Sequence, residues 1–464
     1  MFVGRKRELE KLETLYRSDR FEFVVVFGRR RVGKTRLITE FCKKKRTVFF
    51  PALESNAEAN LDGFSRALSP VITPDLPHAP VFRSFRDVLE TVGTLAREER
   101  LILAIDEYPW LAESEPGFSS LLQTFIDHEF KATRLFLILC GSSTSFMETQ
   151  VLGRESPLFG RRTAQFRVLP FDYLEAAEFH PGWTAKEKAL IYGVTGGVPL
   201  YLEHFHPEKT PEDNIRANFL DPNSFLFEEP ANLLKQELRE PRTYNAILGA
   251  IAGGASRLNE IATRSGCESG LCSRYLAVLM ELGILRKERP LFEKSSRKTI
   301  YSIEDPLFRF WYRFIPENLT MIMAFRTEGV FERGILPFLP TYMGPIFERM
   351  CAQYLLHSPD ALPFPLKETG RWWGTDPKTR TQEEIDIVGV SQDGSRVLFA
   401  ECNYTSEQVG VGVLERLRSR SRLLRVAGEP FYMLFAKDGF SEQLRRENFG
   451  GNVRLLTLED LYQR

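Results

Sequence analysis

Gly28-Arg29-Arg30-Arg31-Val32-Gly33-Lys34-Thr35 sets two glycines, a lysine and a hydroxyl at the spacing G-x-x-x-x-G-K-[ST]. Glycines let the backbone curl until successive N–H groups point inward, and such a nest binds phosphate oxygens. Lys34 brings positive charge to the β- and γ-phosphates of a nucleoside triphosphate, and the Thr35 hydroxyl suits Mg²⁺. With Arg36, the residues from Gly28 onward are expected to surround the phosphates. The side chains of Arg29, Arg30 and Arg31 are expected to face solvent, because the loop's backbone is what meets the anion. About 70 residues further on, Leu101-Ile102-Leu103-Ala104-Ile105-Asp106-Glu107 ends an apolar run in two carboxylates. Asp106 suits the Mg²⁺ shell, and Glu107 suits a base that orients or deprotonates water. The chemistry implied is binding and hydrolysis of ATP with Mg²⁺.

Groups so far apart in sequence meet only if the elements between them form a parallel sheet. Continuous apolar runs at 21–28, 47–53, 101–106 and 134–141 read as strands buried on both faces. Helical patterns at 58–69, 84–98 and 117–129 separate them, so a doubly wound α/β core over 1–170 is expected, with ligands at the carboxyl edge of its strands. From 171 to 240 the periodicity is helical. Residues 241–315 read as three helices and a charged hairpin, 316–340 as a linker around Pro316, and 341–464 as a mixed α/β domain with strands at 384–390, 396–402 and 431–436.

Composition narrows the class. With 62 basic and 62 acidic residues the whole molecule has no bulk affinity for nucleic acid, so any such face must be local. Six scattered cysteines without a C-x-x-C pair predict reduced, buried thiols. Charge from Arg5 onward predicts no signal peptide, no apolar run is long enough to span a bilayer, and a cytoplasmic protein is expected.

Phe2-Val3-Gly4-Arg5-Lys6-Arg7-Glu8-Leu9, the Gly28–Thr35 loop, Asp106-Glu107, Cys140-Gly141-Ser142-Ser143 and Gly196-Gly197-Val198-Pro199 together resemble the archaeal-type prokaryotic ATPases, a branch near the STAND group of AAA+ proteins. The resemblance covers roughly residues 1–240. It implies that Val3, Gly4 and Arg5 lie at the adenine and that Pro199 is a nucleotide contact from a helical lid. It also implies that Ser142 or Ser143 senses the γ-phosphate. Arg161 or Arg162 would complete the charge neutralisation from a neighbouring subunit, which requires a homo-oligomer.

Two further modules follow. Leu258 to Ser265 and Leu271 to Leu282 read as a helix-turn-helix, and Ile300 returns as a strand after Arg286–Lys298. That last stretch carries Arg286, Lys287, Arg289, Lys294, Arg297 and Lys298 against two glutamates. This is a winged-helix pattern with a basic wing suited to DNA phosphates. Its second helix offers only Arg274 for base reading. The C-terminal part resembles the restriction-endonuclease-like domains that end many of these ATPases. Glu348, Asp386 and Glu401 would be its Mg²⁺ ligands. Asn403 stands where that motif has lysine, with Lys367 and Lys378 the nearest replacements, so a degenerate, nuclease-like domain is expected. Arg371, Trp372 and Trp373 are assigned to packing. The sequence therefore predicts an ATP-driven switch acting on its C-terminal modules and on DNA. The alternatives are an ATP-gated nuclease and a non-hydrolysing regulatory or toxin–antitoxin-like binding protein.

Overall fold

The computed structural model describes residues 2–72, 81–238, 240–293, 295, 298–358, 361–424, 426–446 and 450–463. The chain divides into two compact units, Met1–Pro170 and Phe171–Arg464.

The first unit is a parallel sheet of β1 (Glu22–Phe27), β2 (Thr47–Pro51), β3 (Leu101–Asp106), β4 (Leu135–Gly141) and β5 (Ala164–Arg167), in the order β2-β3-β4-β1-β5. Every residue of β1, β3 and β4 is buried. Alternation along the strands divides them between two cores. Phe23, Val25, Leu103, Ile105, Leu137 and Leu139 face one, and Val24, Val26, Ile102, Ala104, Phe136 and Ile138 face the other. Helix Phe85–Glu98 shows how its sequence fixes its place. The Ser84 side chain accepts the Asp87 N–H as an N-cap, and Phe85, Val88, Leu89, Val92 and Ala96 form one buried stripe. Each large apolar side chain in that stripe adds about 1.5–3 kcal/mol over leaving it exposed. Helices Lys6–Tyr16 and Lys34–Cys42 cover the opposite face through Leu12, Leu37, Ile38 and Phe41.

The second unit opens with helices, among them Ala185–Thr195, Pro199–Leu202, Pro211–Phe219 and Phe225–Glu237. Three more, Pro241–Ala252, Leu258–Ser265 and Ser269–Glu281, lead into an antiparallel ribbon of β6 (Leu285–Glu288) and β7 (Ile300–Ile303). The stretch 316–340 is not a linker. Pro316 lies inside helix Pro306–Met323, and Ile322, Val330, Phe331, Ile335 and Leu339 are part of the unit's main core. Their apolar spacing is broken by Arg326, Glu328, Glu332 and Arg333, which hid the burial from a reading of periodicity.

Helix Leu339–His357 then leads to a sheet in the order β12-β11-β10-β9-β8: β8 (Leu366–Thr375), β9 (Gln382–Ser391), β10 (Arg396–Asn403), β11 (Glu429–Ala436) and β12 (Val453–Thr457). β8 and β9 and β9 and β10 pair antiparallel, while β10, β11 and β12 run parallel. The sequence did not announce β8 and β12. Both are edge strands, and β8 is mostly half-buried or exposed, so neither carries a continuous apolar run. Among the described residues no helix is long and apolar enough to cross a membrane.

Candidate functional site

Because β4 lies between β1 and β3, the carboxyl ends of these strands bring three sequence motifs side by side. The loop after β1 begins at Gly28, whose φ is +151° and whose absent Cβ would sit 2.3 Å from the Val168 carbonyl oxygen. Only glycine fits there. Arg31 and Gly33 also have positive φ, at +72° and +87°, and the turn they make delivers Lys34 and Thr35 to the first turn of helix Lys34–Cys42. The helix N-terminus adds its partial positive charge at that point.

Lys34 is buried, and its Nζ donates to the Arg29 carbonyl at 2.9 Å. Burial pulls its pKa below the ordinary lysine value, opposed by Cys140, Glu107 and Asp106. The Thr35 Oγ1 donates to Asp106 Oδ2 at 2.6 Å, joining the β1 loop to the end of β3. A hydroxyl beside a carboxylate is an all-oxygen donor set, and it fits the ligand preference of Mg²⁺.

Glu107 sits in the left-handed region at φ +50°. Its Oε2 accepts from the Ser142 backbone N–H at 3.2 Å and from the Ser142 hydroxyl at 2.8 Å, so the end of β4 fixes the carboxylate. Ser143 instead caps the short turn that follows, accepting the Phe146 N–H at 3.4 Å.

Arg5 is buried and left-handed at φ +56°. Its guanidinium donates to the carbonyls of Val32, at 3.1 Å, and Leu169. The side chain thus ties the phosphate loop to the last residues of the first unit. Val3 and Gly4 precede it, half-buried. Arg29, Arg30 and Arg31 are half-buried as well, less open than the sequence suggested, and Arg36 is exposed.

Arg161 grips Asp127 with two nitrogens, Nε at 3.0 Å and a terminal nitrogen at 2.5 Å from the same Oδ2, and donates to the Pro157 carbonyl at 2.9 Å. These charge-assisted bonds, with a further one from Lys131, pull the Asp127 pKa down to about 2. Arg162, its half-buried neighbour, is not part of that fork. Asp127 was not foreseen, since nothing in a helical LLQTFIDH pattern marks it as a partner for an arginine 34 residues later.

Pro199 belongs to the second unit, where it starts helix Pro199–Leu202 after Gly196 and Gly197, both with positive φ.

The metal ligands expected in the C-terminal sheet, Glu348, Asp386 and Glu401, lie on helix Leu339–His357, β9 and β10. Among the described residues no group of three or more His, Cys, Asp or Glu side chains is placed to hold a metal ion, although Glu348 and Glu401 both lie near enough to Asp386 to act on its charge. Arginines stand among these carboxylates. Arg371 lies 3.4 Å from Glu348 and 3.3 Å from Glu384, and Arg420 pairs with Glu401 at 3.1 Å and Glu383 at 2.9 Å. Asp386 accepts the Cys402 N–H at 2.7 Å. Burial first, then the negative charges of Glu348 and Glu401, push its pKa up to about 8. Burial also raises Glu348 and Glu401. Asn403 supplies no charge, and Lys367 and Lys378 are exposed on β8 and the turn beyond it.

The charge of the 286–298 stretch is partly spent. Arg286 pairs with Glu288 at 3.1 Å and Glu304 at 3.3 Å, and Lys298 pairs with Glu293 at 2.9 Å. Lys287 and Arg289 are exposed, whereas Lys294 and Arg297 lie outside the described residues.

Residues 2–205 match a family described as an ATPase domain predominantly from Archaea, and residues 311–413 match one described as archaeal and bacterial proteins of unknown function. An uncharacterised protein of Methanocaldococcus jannaschii is 33% identical over 468 residues, 99% of this chain and 100% of its own length. A Walker-type ATPase of Pyrococcus abyssi shares the fold, with a TM-score of 0.54 and 21% identity across 67% of this chain and 96% of that one. The ORC2 protein of Aeropyrum pernix, solved as ADPNP–ADP complexes, is a more distant likeness at TM-score 0.44 and 14% identity, over 70% of this chain and 96% of that one.

Proposed function

The chain belongs to one family with its Methanocaldococcus jannaschii relative over the full length of both, and its residues 2–205 are an archaeal-type ATPase domain; we propose how those residues divide the work. Lys34 and the loop N–H groups bind the β- and γ-phosphates of ATP. Thr35 and Asp106 would hold Mg²⁺, which supplies charge neutralisation on the phosphate oxygens. Glu107 orients and deprotonates the attacking water. Ser142, already bonded to that carboxylate, is placed to exchange it for a γ-phosphate oxygen. The observation that carries this reading is the Thr35–Asp106 hydrogen bond at 2.6 Å, with Glu107 the next residue along.

The same loop supports a switch. Gly28 abuts Val168, and Arg5 binds Val32 and Leu169 together, immediately before the chain enters the second unit. A phosphate that reshapes the loop therefore pulls on residues 168–170. We assign the helical region from Phe171 to the lid role, with Pro199 its nucleotide contact, and the 241–303 module to a winged helix. Arg162, rather than the Asp127-bound Arg161, is the better trans-acting arginine, and its action would require a homo-oligomer. Any DNA contact falls to the exposed Lys287 and Arg289 and would be weak and salt-sensitive. Nuclease chemistry is disfavoured by Asn403 and by the arginines among the carboxylates.

The test is nucleotide binding by Lys34→Ala. The variant should lose ATP affinity by at least about tenfold, while its unfolding stays cooperative. Undiminished binding would remove the phosphate loop from the reading.

A further inference from the structure

β8 is the outer strand of the C-terminal sheet, and such an edge presents unpaired backbone groups that a protein must cover. Its pairing with β9 slips between Gly370 and Trp372. Gly370 faces Val388 and Trp372 faces Ile385, so Asp386 and Ile387 together oppose Arg371. A bulge of this kind re-aims side chains. Beside it, on the open side of this edge strand, the Arg371 carbonyl accepts a hydrogen bond from the Leu291 N–H at 2.8 Å, from the segment that follows β6. The Leu291 side chain packs into the same core as Trp372, close to Gly370.

Charge follows the same route. The Arg371 guanidinium stands 4.0 Å from Glu288 at the end of β6, 3.4 Å from Glu348 on helix Leu339–His357 and 3.3 Å from Glu384 on β9. A second bridge lies beside it. Glu304, just past β7, joins Arg286 at 3.3 Å to Arg349 at 3.0 Å on that helix.

We propose that Arg371 is a latch: it fastens the ribbon of the three-helix module to the edge of the C-terminal sheet, and the carboxylate cluster exists to hold this arginine. While the latch is closed, Leu291 covers the β8 edge at Arg371 and Glu288 holds the end of β6 beside it. Opening it exposes the edge, Leu291 and the carboxylates together. Every residue of the latch lies in the second unit.

Hydrogen exchange on the full-length protein tests it, read at residues 285–293 and 366–375. Glu288→Gln keeps shape and removes one charge, and Arg371→Gln removes the hub. Each should speed exchange at the Leu291 amide, by about two- to fivefold for Glu288→Gln and by more for Arg371→Gln, which loses three partners. The double variant should exceed the larger single effect only slightly, because both cut the same link. Helix Pro241–Ala252 and helix Pro211–Phe219 should keep wild-type exchange in Glu288→Gln. Unchanged exchange at Leu291 in Glu288→Gln would overturn the latch. So would acceleration spread evenly over the second unit, which would mean general destabilisation.

Discussion

Arg5→Ala separates two accounts of the N-terminal Val-Gly-Arg segment. If the guanidinium holds the phosphate loop, its removal strands two carbonyl groups. The Val32 residue is fully buried, so its oxygen loses a charge-assisted bond that water cannot replace, a cost of about 1.5–3 kcal/mol. Leu169 is 57% exposed, so its carbonyl rehydrates and adds about 0.5–1 kcal/mol. The sum, about 2–4 kcal/mol, is a large part of the stability of an ordinary domain. The assay is native-state hydrogen exchange at β1 and β4, whose slowest amides report opening of the first unit. At 1.4 kcal/mol per tenfold, these amides should exchange roughly thirtyfold to a thousandfold faster. ATP and GTP affinity should fall together, since a distorted loop serves both. Wild-type exchange together with a loss confined to ATP would refute the reasoning and return Arg5 to the adenine.

Two other outcomes follow from charge. Asp386 binds its proton more tightly in the folded state, at about 8 against an ordinary value of 3.8, so the stability contributed by its neutral form is present below pH 4 and is lost as pH climbs toward 8. Asp386→Asn should therefore gain on the wild type by a few kcal/mol between pH 5 and pH 9 in urea unfolding, at about 1.4 kcal/mol per unit; parallel curves would contradict the assignment. Mixing Arg162→Ala with Lys34→Ala protein should restore part of the ATPase activity if Arg162 acts across a subunit contact. Arg161→Ala should chiefly lower stability, and rescue by Arg161→Ala but not by Arg162→Ala would reverse the choice.

What was legible in the sequence was whatever repeats at short range. The Gly28–Thr35 loop, the Asp106-Glu107 pair and the buried strands declare themselves because glycine geometry and double-sided burial restrict residue type locally. The contacts that set their roles are long-range and carry no local mark: Ser142 to Glu107 spans 35 residues, and Arg5 to Leu169 spans 164. The C-terminal carboxylates show the hazard most clearly. Glu348, Asp386 and Glu401 occupy the expected elements, yet Arg371 and Arg420 pair with two of them from elsewhere in the chain. The sequence assigns Arg371 to packing, because its partners Glu288, Glu348 and Glu384 come from three other elements and leave no local pattern. Pro316 misled for a related reason: a proline in a helix interior costs locally, but buried neighbours such as Phe314 and Ile315 hold the helix together.

The central claim is that Glu107, fixed by Ser142 beside Thr35 and Asp106, carries out hydrolysis on a nucleotide that Lys34 binds. Single-turnover hydrolysis by Glu107→Gln, with ATP affinity measured on the same protein, tests it most directly. Affinity should stay within about threefold of wild type while the chemical step slows by on the order of a hundredfold or more, the scale of general-base catalysis. Hydrolysis at the wild-type rate by a Glu107→Gln protein that still binds ATP would contradict the account.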